Sequence, residues 1–397
     1  MRIAVYFPDI RPETGGSSSL LKTIRKEIDD SRDTQNEYIF LYYGESNSDL
    51  YTESDGFKYL NLNYYQPKIG LKQKVKNKIK RKLGREIHLP NKLDAAAKDQ
   101  GIDLFWLPAP FLQELSYPYI YTVWDLGHRR TPYFPEVSRS GWLWEDREAT
   151  YQKMLYKASY IITGNEEGKK EILENYPVPA NKIRISVFPV ASFCRGGEKK
   201  PDFDVPKEFF FYPAQFWPHK NHIRILEALV QLREKENLMP TVFLTGSDKG
   251  NRNYIEEKIK EYGLETQVKI TGFLSDEELK YLYTHATAMI FASLMGPNNM
   301  PPVEATFLHC PVIITDLDGH KEQLGDTALY FNGYDSDELA EKMKILLMNE
   351  NVRDALIEKE KKLGEEFDKI NYFSCIKQII DEFALIRKTW GADFVHL

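Results

Sequence analysis

Short apolar runs, mostly β-branched or aromatic and without strict alternation, recur along the chain with helix-period segments between them. In the first half they are Arg2–Phe7, Tyr38–Gly44, Ile102–Leu107, Tyr119–Trp124, Tyr160–Thr163 and Ile183–Val187. In the second half they are Phe209–Tyr212, Thr241–Leu244, Val268–Thr271, Ala288–Ala292, Pro311–Thr315 and Ala328–Phe331. Continuous apolar character is how strands buried on both faces of a parallel sheet read. The segments between them carry helical signals. Asn221–Lys235 places Ile223, Leu226, Leu229 and Leu232 on one face, and Ser275 with Glu278 forms a capping box opening a helix over Asp276–Thr284. This rhythm confines the chain to an α/β architecture with right-handed crossovers.

A length of 397 residues favours two domains. The stretch Ala191–Pro206 is polar, holds two glycines and two prolines, and is followed by a fresh strand, so it reads as the linker. Two doubly wound domains of roughly six strands each follow. Ligands of such sheets sit at the carboxyl ends of the strands, which puts a site in the cleft between the domains.

Charge and cysteine content narrow the function classes. The formal net charge of −6 argues against a nucleic-acid partner. That average hides nine basic residues and no acidic one between Lys68 and Arg85; without them the chain has 44 basic against 59 acidic residues. Three separated cysteines, Cys194, Cys310 and Cys375, suit neither a disulfide framework nor a cysteine zinc site, and fit a cytoplasmic protein. The first apolar run is cut by Pro8 and Asp9, too early for a signal peptide, and no stretch is long enough to span a bilayer.

Four segments carry chemistry. Gly15-Gly16 between the first strand and a helix would let backbone amides approach an anion, or would simply make a tight capped turn. Asp125, His128, Arg129 and Arg130 follow a strand's carboxyl end, where such domains hold proton-exchanging and phosphate-clamping groups; an incidental surface loop is the other reading. Lys220 stands at the mouth of a helix, where its charge opposes the macrodipole unless an anion lies between, or unless it points to water. Pro301 and Pro302 suit a helix's first turn, with Gly296 to Asn299 as the loop presenting free amides before it. Glu304, one turn inside, suits either the hydroxyls of a ribose or hexose or a dipole-favoured surface position.

In this order, Gly15-Gly16, Trp124-Asp125-Leu126-Gly127-His128, Gln215 to Lys220, Thr271-Gly272-Phe273, Pro301-Pro302-Val303-Glu304-Ala305 and Pro311 to Gly319 resemble the retaining GT-B glycosyltransferases of family 4, glycosyltransferase group 1. The variant around Gly296 is similar to that of the O-antigen mannosyl and related polysaccharide transferases. The resemblance implies two Rossmann-like domains, over 1–195 and 206–370, facing across a cleft. It also implies a last segment, 371–397, whose helix (Tyr372–Trp390) returns to the first domain. It implies a GDP- or UDP-linked sugar donor held by Gly15, Gly16, Gln215, Lys220, Gly246, Gly272, Phe273, Asn298, Asn299, Met300, Pro301 and Glu304. Asp125, His128 and Lys220 are the catalytic candidates it implies. The sequence departs from the family where Gln215 replaces the first basic residue, Gly296 the first glutamate, and Trp124 a histidine. In retaining members the leaving phosphate itself helps take the acceptor's proton. Asp316-Leu317-Asp318 follows a strand and precedes Gly319, so it is not read as a metal site; the expected enzyme needs no metal or cofactor beyond its donor.

In Gly70–Arg85, Leu71, Val75, Ile79 and Leu83 form a narrow apolar stripe among Lys72, Lys74, Lys76, Lys78, Lys80, Arg81, Lys82 and Arg85. Such a helix could lie on anionic lipid at about 1 kcal/mol per basic residue, or pack by its stripe with a solvated lysine face. The first reading suits a saccharide acceptor carried on a lipid pyrophosphate and a peripheral position on the inner face of the cell membrane. Two other functions remain open from the sequence: a nucleotide-sugar epimerase, which would turn over donor alone, and a non-catalytic sugar- or lipid-binding relative.

Overall fold

The computed structural model describes residues 1–8, 16–31, 33–44, 57–65, 91–111, 113–139 and 142–391. Gly15, the basic run between Lys68 and Arg85, and the last six residues lie outside these. The described chain forms two parallel sheets. The first holds β1 (Arg2–Phe7), β2 (Glu37–Tyr42), β3 (Lys58–Asn61), β4 (Leu104–Leu107), β5 (Tyr119–Thr122), β6 (Tyr160–Thr163) and β7 (Ile183–Ile185), in the order β3-β2-β1-β4-β5-β6-β7. The second holds β8 (Phe209–Pro213), β9 (Thr241–Thr245), β10 (Val268–Gly272), β11 (Ala288–Phe291), β12 (Val312–Thr315) and β13 (Ala328–Phe331), in the order β10-β9-β8-β11-β12-β13. Both are doubly wound Rossmann-like sheets whose order reverses beside their first strand, β1 and β8.

All twelve apolar runs became strands, and β4, β5, β6, β11 and β12 are buried at every residue. The addition is β3, an edge strand of sequence KYLN with a lysine at its start and half-buried residues after it. The capping box formed: Ser275 Oγ accepts from the backbone N–H of Glu278, whose carboxylate accepts from that of Ser275.

Apolar clusters cover both faces of the first sheet, and another surrounds the second. The linker is shorter than its polar composition suggested, because Val190, Ala191, Phe193 and Cys194 pack into the second domain's core. The helix Tyr372–Arg387 crosses back to the first domain. Its Tyr372, Phe373, Ile376, Ile379, Ile380 and Phe383 are buried with Ile3, Leu21 and Trp106. At about 1.5–3 kcal/mol per large apolar side chain, that contact is worth on the order of 10 kcal/mol before ordering entropy. The Phe373 N–H donates to Glu27, and Arg387 pairs with Asp103 at 2.7 Å. Among the described residues no helix is long and apolar enough to cross a membrane.

Candidate active site

The turns after β5, β8, β9, β10 and β11 and the start of the helix Gly16–Ser31 converge on a cavity of about 470 Å³ between the domains. Its walls include Asp125, Gln215, Lys220, Gly246, Gly272, Phe273, Asn298, Asn299, Met300, Pro301 and Glu304, so most of the implied donor residues meet there. Gly16 opens its helix, and Ser18 and Ser19 of the same turn line the cavity.

Lys220 ends the 3-10 turn Pro218–Lys220, and Asn221, in the left-handed region at φ 56°, redirects the chain into the helix His222–Glu236. The ammonium lies 4.9 Å from the centre of the Phe291 ring and 3.4 Å from Ser293 Oγ. Among the described residues it forms no salt bridge, and burial lowers it to about 8 against the opposing pull of Asp125 and Glu136. A charge so placed favours an anionic ligand.

Glu304 lies in the helix Met300–Phe307 and is 5% exposed. Burial raises its carboxyl to about 7, although the Tyr283 hydroxyl donates to Oε2 at 2.8 Å. The two prolines sit in the first turn as expected, but they remove two backbone donors, so this helix start offers fewer amides than its loop suggested. The loop before it is held by side chains instead. Asn299 Nδ2 donates to His320, the Asn299 N–H donates to Gln323, and Gln323 also donates to Asn298.

The first domain grips the same loop. Asn165 Nδ2 donates to the Pro297 carbonyl at 2.6 Å, and a Cβ on Gly164 would fall 1.9 Å from Asn298 Nδ2, so any larger residue there would push the Asn298 side chain aside. Glu322 accepts from the backbone N–H groups of Glu166 and Glu167 at 2.7 and 2.8 Å, placing a carboxylate at the N-terminus of the helix Glu166–Asn175. Glu136, on the short helix Pro135–Ser138, meets His219 of the second domain: its Oε1 lies 2.5 Å from Nδ1 and 3.0 Å from the backbone N. His219 lines the cavity.

His128 corrects the sequence reading. After Asp125 the chain turns into the helix Gly127–Arg130, which sends the imidazole inward, where it is fully buried and stacks on Tyr151 at 5.4 Å. Its Nε2 lies 3.2 Å from Glu148, which also binds Arg129, Gln152 and Tyr176. His128 does not reach the cavity, and burial lowers its basicity. Arg129 is committed to Glu148, and Arg130 to Glu167, Glu171 and Glu174, so neither is a free phosphate clamp. His219, Glu136, Asn165 and Glu322 had no assigned role in the sequence. His219 adjoins Lys220, but what gives it meaning lies 83 residues away in the other domain.

Residues 198–363 match the family described as glycosyl transferases group 1. The chain is similar to the O-antigen chain mannosyltransferase RfbU of Salmonella typhimurium, 26% identical over 196 residues, which are 47% of this chain and 51% of the relative. It therefore spans about half the length of that relative. In structure it is similar to a sucrose-phosphate synthase from Thermosynechococcus elongatus, with a TM-score of 0.71 at 16% identity over 98% of this chain and 100% of that one. It is likewise similar to Anabaena HepE in complex with UDP and glucose, with a TM-score of 0.68 at 15% identity over 97% and 99%. Two facing Rossmann-like domains with a returning helix give this chain the GT-B fold, and the match of its residues 198–363 places its second domain beside the glycosyl transferases group 1 in sequence.

Proposed function

We propose that the chain is a retaining glycosyltransferase. It moves a hexose, with mannose the first candidate, from a nucleoside-diphosphate sugar to a saccharide acceptor in surface-polysaccharide assembly. The observation that carries this reading is one cavity holding the Lys220 ammonium, without a carboxylate partner among the described residues, and the buried carboxyl of Glu304. A volume of about 470 Å³ lies within the usual range for such ligands. The similarity to O-antigen mannosyltransferases supports the sugar and the product class.

Lys220 would bind the diphosphate and stabilise the charge that grows on it as the glycosidic bond breaks. With Gln215 neutral, this task falls mainly on one cation. Glu304, once ionised, would accept both ribose hydroxyls, and Phe273, 67% exposed at the rim, offers its face to the base. Asp125 stands on the acceptor side of the cavity and would orient the attacking hydroxyl, whose proton passes to the leaving phosphate. The diphosphate charge is met by Lys220 and backbone amides, so the reaction is proposed to need no metal. The basic run between Lys68 and Arg85 would hold a lipid-linked acceptor at an anionic membrane face.

Thermal unfolding with a panel of nucleotide sugars tests the donor, because a ligand of the folded state raises the midpoint by mass action. Lys220→Ala and Glu304→Ala are each expected to remove that shift and the transfer activity. Unchanged activity in both would sink the assignment, and turnover of donor without acceptor would favour an epimerase.

A further inference from the structure

We propose that His219 binds a hydroxyl of the donor's sugar through Nε2, and that Glu136, from the opposite domain, holds the ring in the tautomer this requires. The assignment rests on reading the cavity as a nucleotide-sugar site. A carboxylate can only accept, so the 2.5 Å contact between Glu136 Oε1 and Nδ1 places the ring proton on Nδ1. The same oxygen takes the backbone N–H of His219 at 3.0 Å, which fixes the residue's position as well as its proton. Nε2 is left with its lone pair. It makes no hydrogen bond among the described residues, yet it is not a sealed, unpartnered atom, as Nδ1 of His128 and Nδ1 of His222 are. His219 lines the cavity, so an acceptor faces a space expected to hold a sugar. Burial pulls the imidazole down to about 4, although Glu136 pulls the other way, so the ring is neutral and accepts rather than donates at Nε2 near neutrality.

Position selects the sugar over the nucleoside. His219 precedes Lys220, the proposed phosphate partner, and its ring faces the first domain through Glu136, the side from which the acceptor approaches. Phe273, just after β10, and Glu304, in the helix Met300–Phe307, the proposed nucleoside contacts, stand on other elements of the second domain. The sugar hangs from the distal phosphate, and a group beside that phosphate on the acceptor side meets the ring. A buried acceptor built for one hydroxyl discriminates strongly against a sugar lacking it, because the site is then left unpaired. Glu136 acts through His219 and is a positioning residue: the acceptor is correctly presented only while the two domains are closed on each other.

Calorimetric titration of the full chain with UDP, UDP-glucose, GDP and GDP-mannose tests this, each compared between the wild type and His219→Asn. Asparagine keeps an amide that can donate to Glu136 but has no counterpart of Nε2. For the nucleotide pair that binds, the variant is expected to lose about tenfold or more for the sugar nucleotide and less than about twofold for the bare diphosphate. Among monodeoxy forms of that sugar nucleotide, one is expected to bind the wild type as weakly as the parent binds the variant, with no further loss in the variant. Glu136→Ala should reproduce the loss, while Glu136→Gln, whose carbonyl still accepts from Nδ1, should stay within about threefold of the wild type. Equal losses for diphosphate and sugar nucleotide, or no loss for either, overturn the assignment and leave the donor reading standing. If neither pair binds the wild type, the donor reading falls and the assignment with it.

Discussion

Among the described residues two buried histidine–glutamate pairs have opposite fates. His128 and Glu148 both belong to the first domain; their pair is closed in by Tyr151, Tyr176 and Arg129, and no face of it meets the cavity. His219 and Glu136 come from different domains, and His219, its Nδ1 taken by Glu136, lines a ligand-sized cavity. The residue types are the same, although the contact is 3.2 Å through Nε2 in the first pair and 2.5 Å through Nδ1 in the second. What separates structure from site is whether the pair has an open valence at a cavity, and whether its partners can part. The first pair is expected to govern stability alone, the second ligand recognition.

The strongest test of that division is Glu148→Ala. It strips Arg129, His128 and Tyr176 of a shared acceptor in a buried place, which costs about 3–5 kcal/mol. Chemical denaturation should show a loss of that size, and whatever remains folded should bind nucleotide as the wild type does. A specific loss of binding at full stability would erase the distinction. Acid offers the same test without mutation. Burial pushes Glu148 upward, but hydrogen bonds from Arg129, Gln152 and Tyr176 outweigh it and hold the carboxyl at about 2. Its folded value is depressed, so its stabilisation is present above the ordinary carboxylate range, near 4.5, and is lost as pH falls toward about 2. Glu148→Gln should flatten that limb of the pH–stability curve.

At the other pair's neighbour the effect should fall on binding instead, and its sign on stability should reverse. Lys220→Met is expected to weaken nucleotide by about 100-fold or more while raising the unliganded midpoint by about 2 °C, since it removes a cation without a carboxylate partner among the described residues. A lowered midpoint would show that the ammonium is compensated after all. A smaller effect is expected from pH in the neutral range. Binding should weaken above about 8, as Lys220 loses its proton, and below about 7, as Glu304 gains one. Titration calorimetry at several pH values checks this, and a flat profile would contradict both assignments. Least of all, Glu322→Gln should cost about 0.3–1 kcal/mol at the N-terminus of the helix Glu166–Asn175, read as a small fall in midpoint at low salt.

Strand positions were legible because each is a dense local signal, and so were Lys220 and Glu304, whose positions relative to a helix start carry their meaning. The edge strand β3 was not, because four residues with a lysine at the head give neither an apolar run nor an alternation. His128 was misread because following a strand's carboxyl end does not fix which way a side chain points; the short helix after Asp125 turned it into the core. Glu136, Asn165 and Glu322 were silent for a different reason. Each gains its role from a partner 83 or more residues away in the other domain, and no local pattern encodes such a meeting.

The returning helix Tyr372–Arg387 has a consequence for synthesis. The first domain's sheet is complete by β7, yet the part of one face beside the helix Gly16–Ser31 stays uncovered until residues some 200 positions later leave the ribosome. The second domain, with its own closed core, can therefore finish folding before the first. A chain released short of Tyr372 would display the apolar face around Ile3, Leu21 and Trp106, the kind of surface that chaperones and proteases recognise. The fold of the first domain thus registers whether that helix has been made.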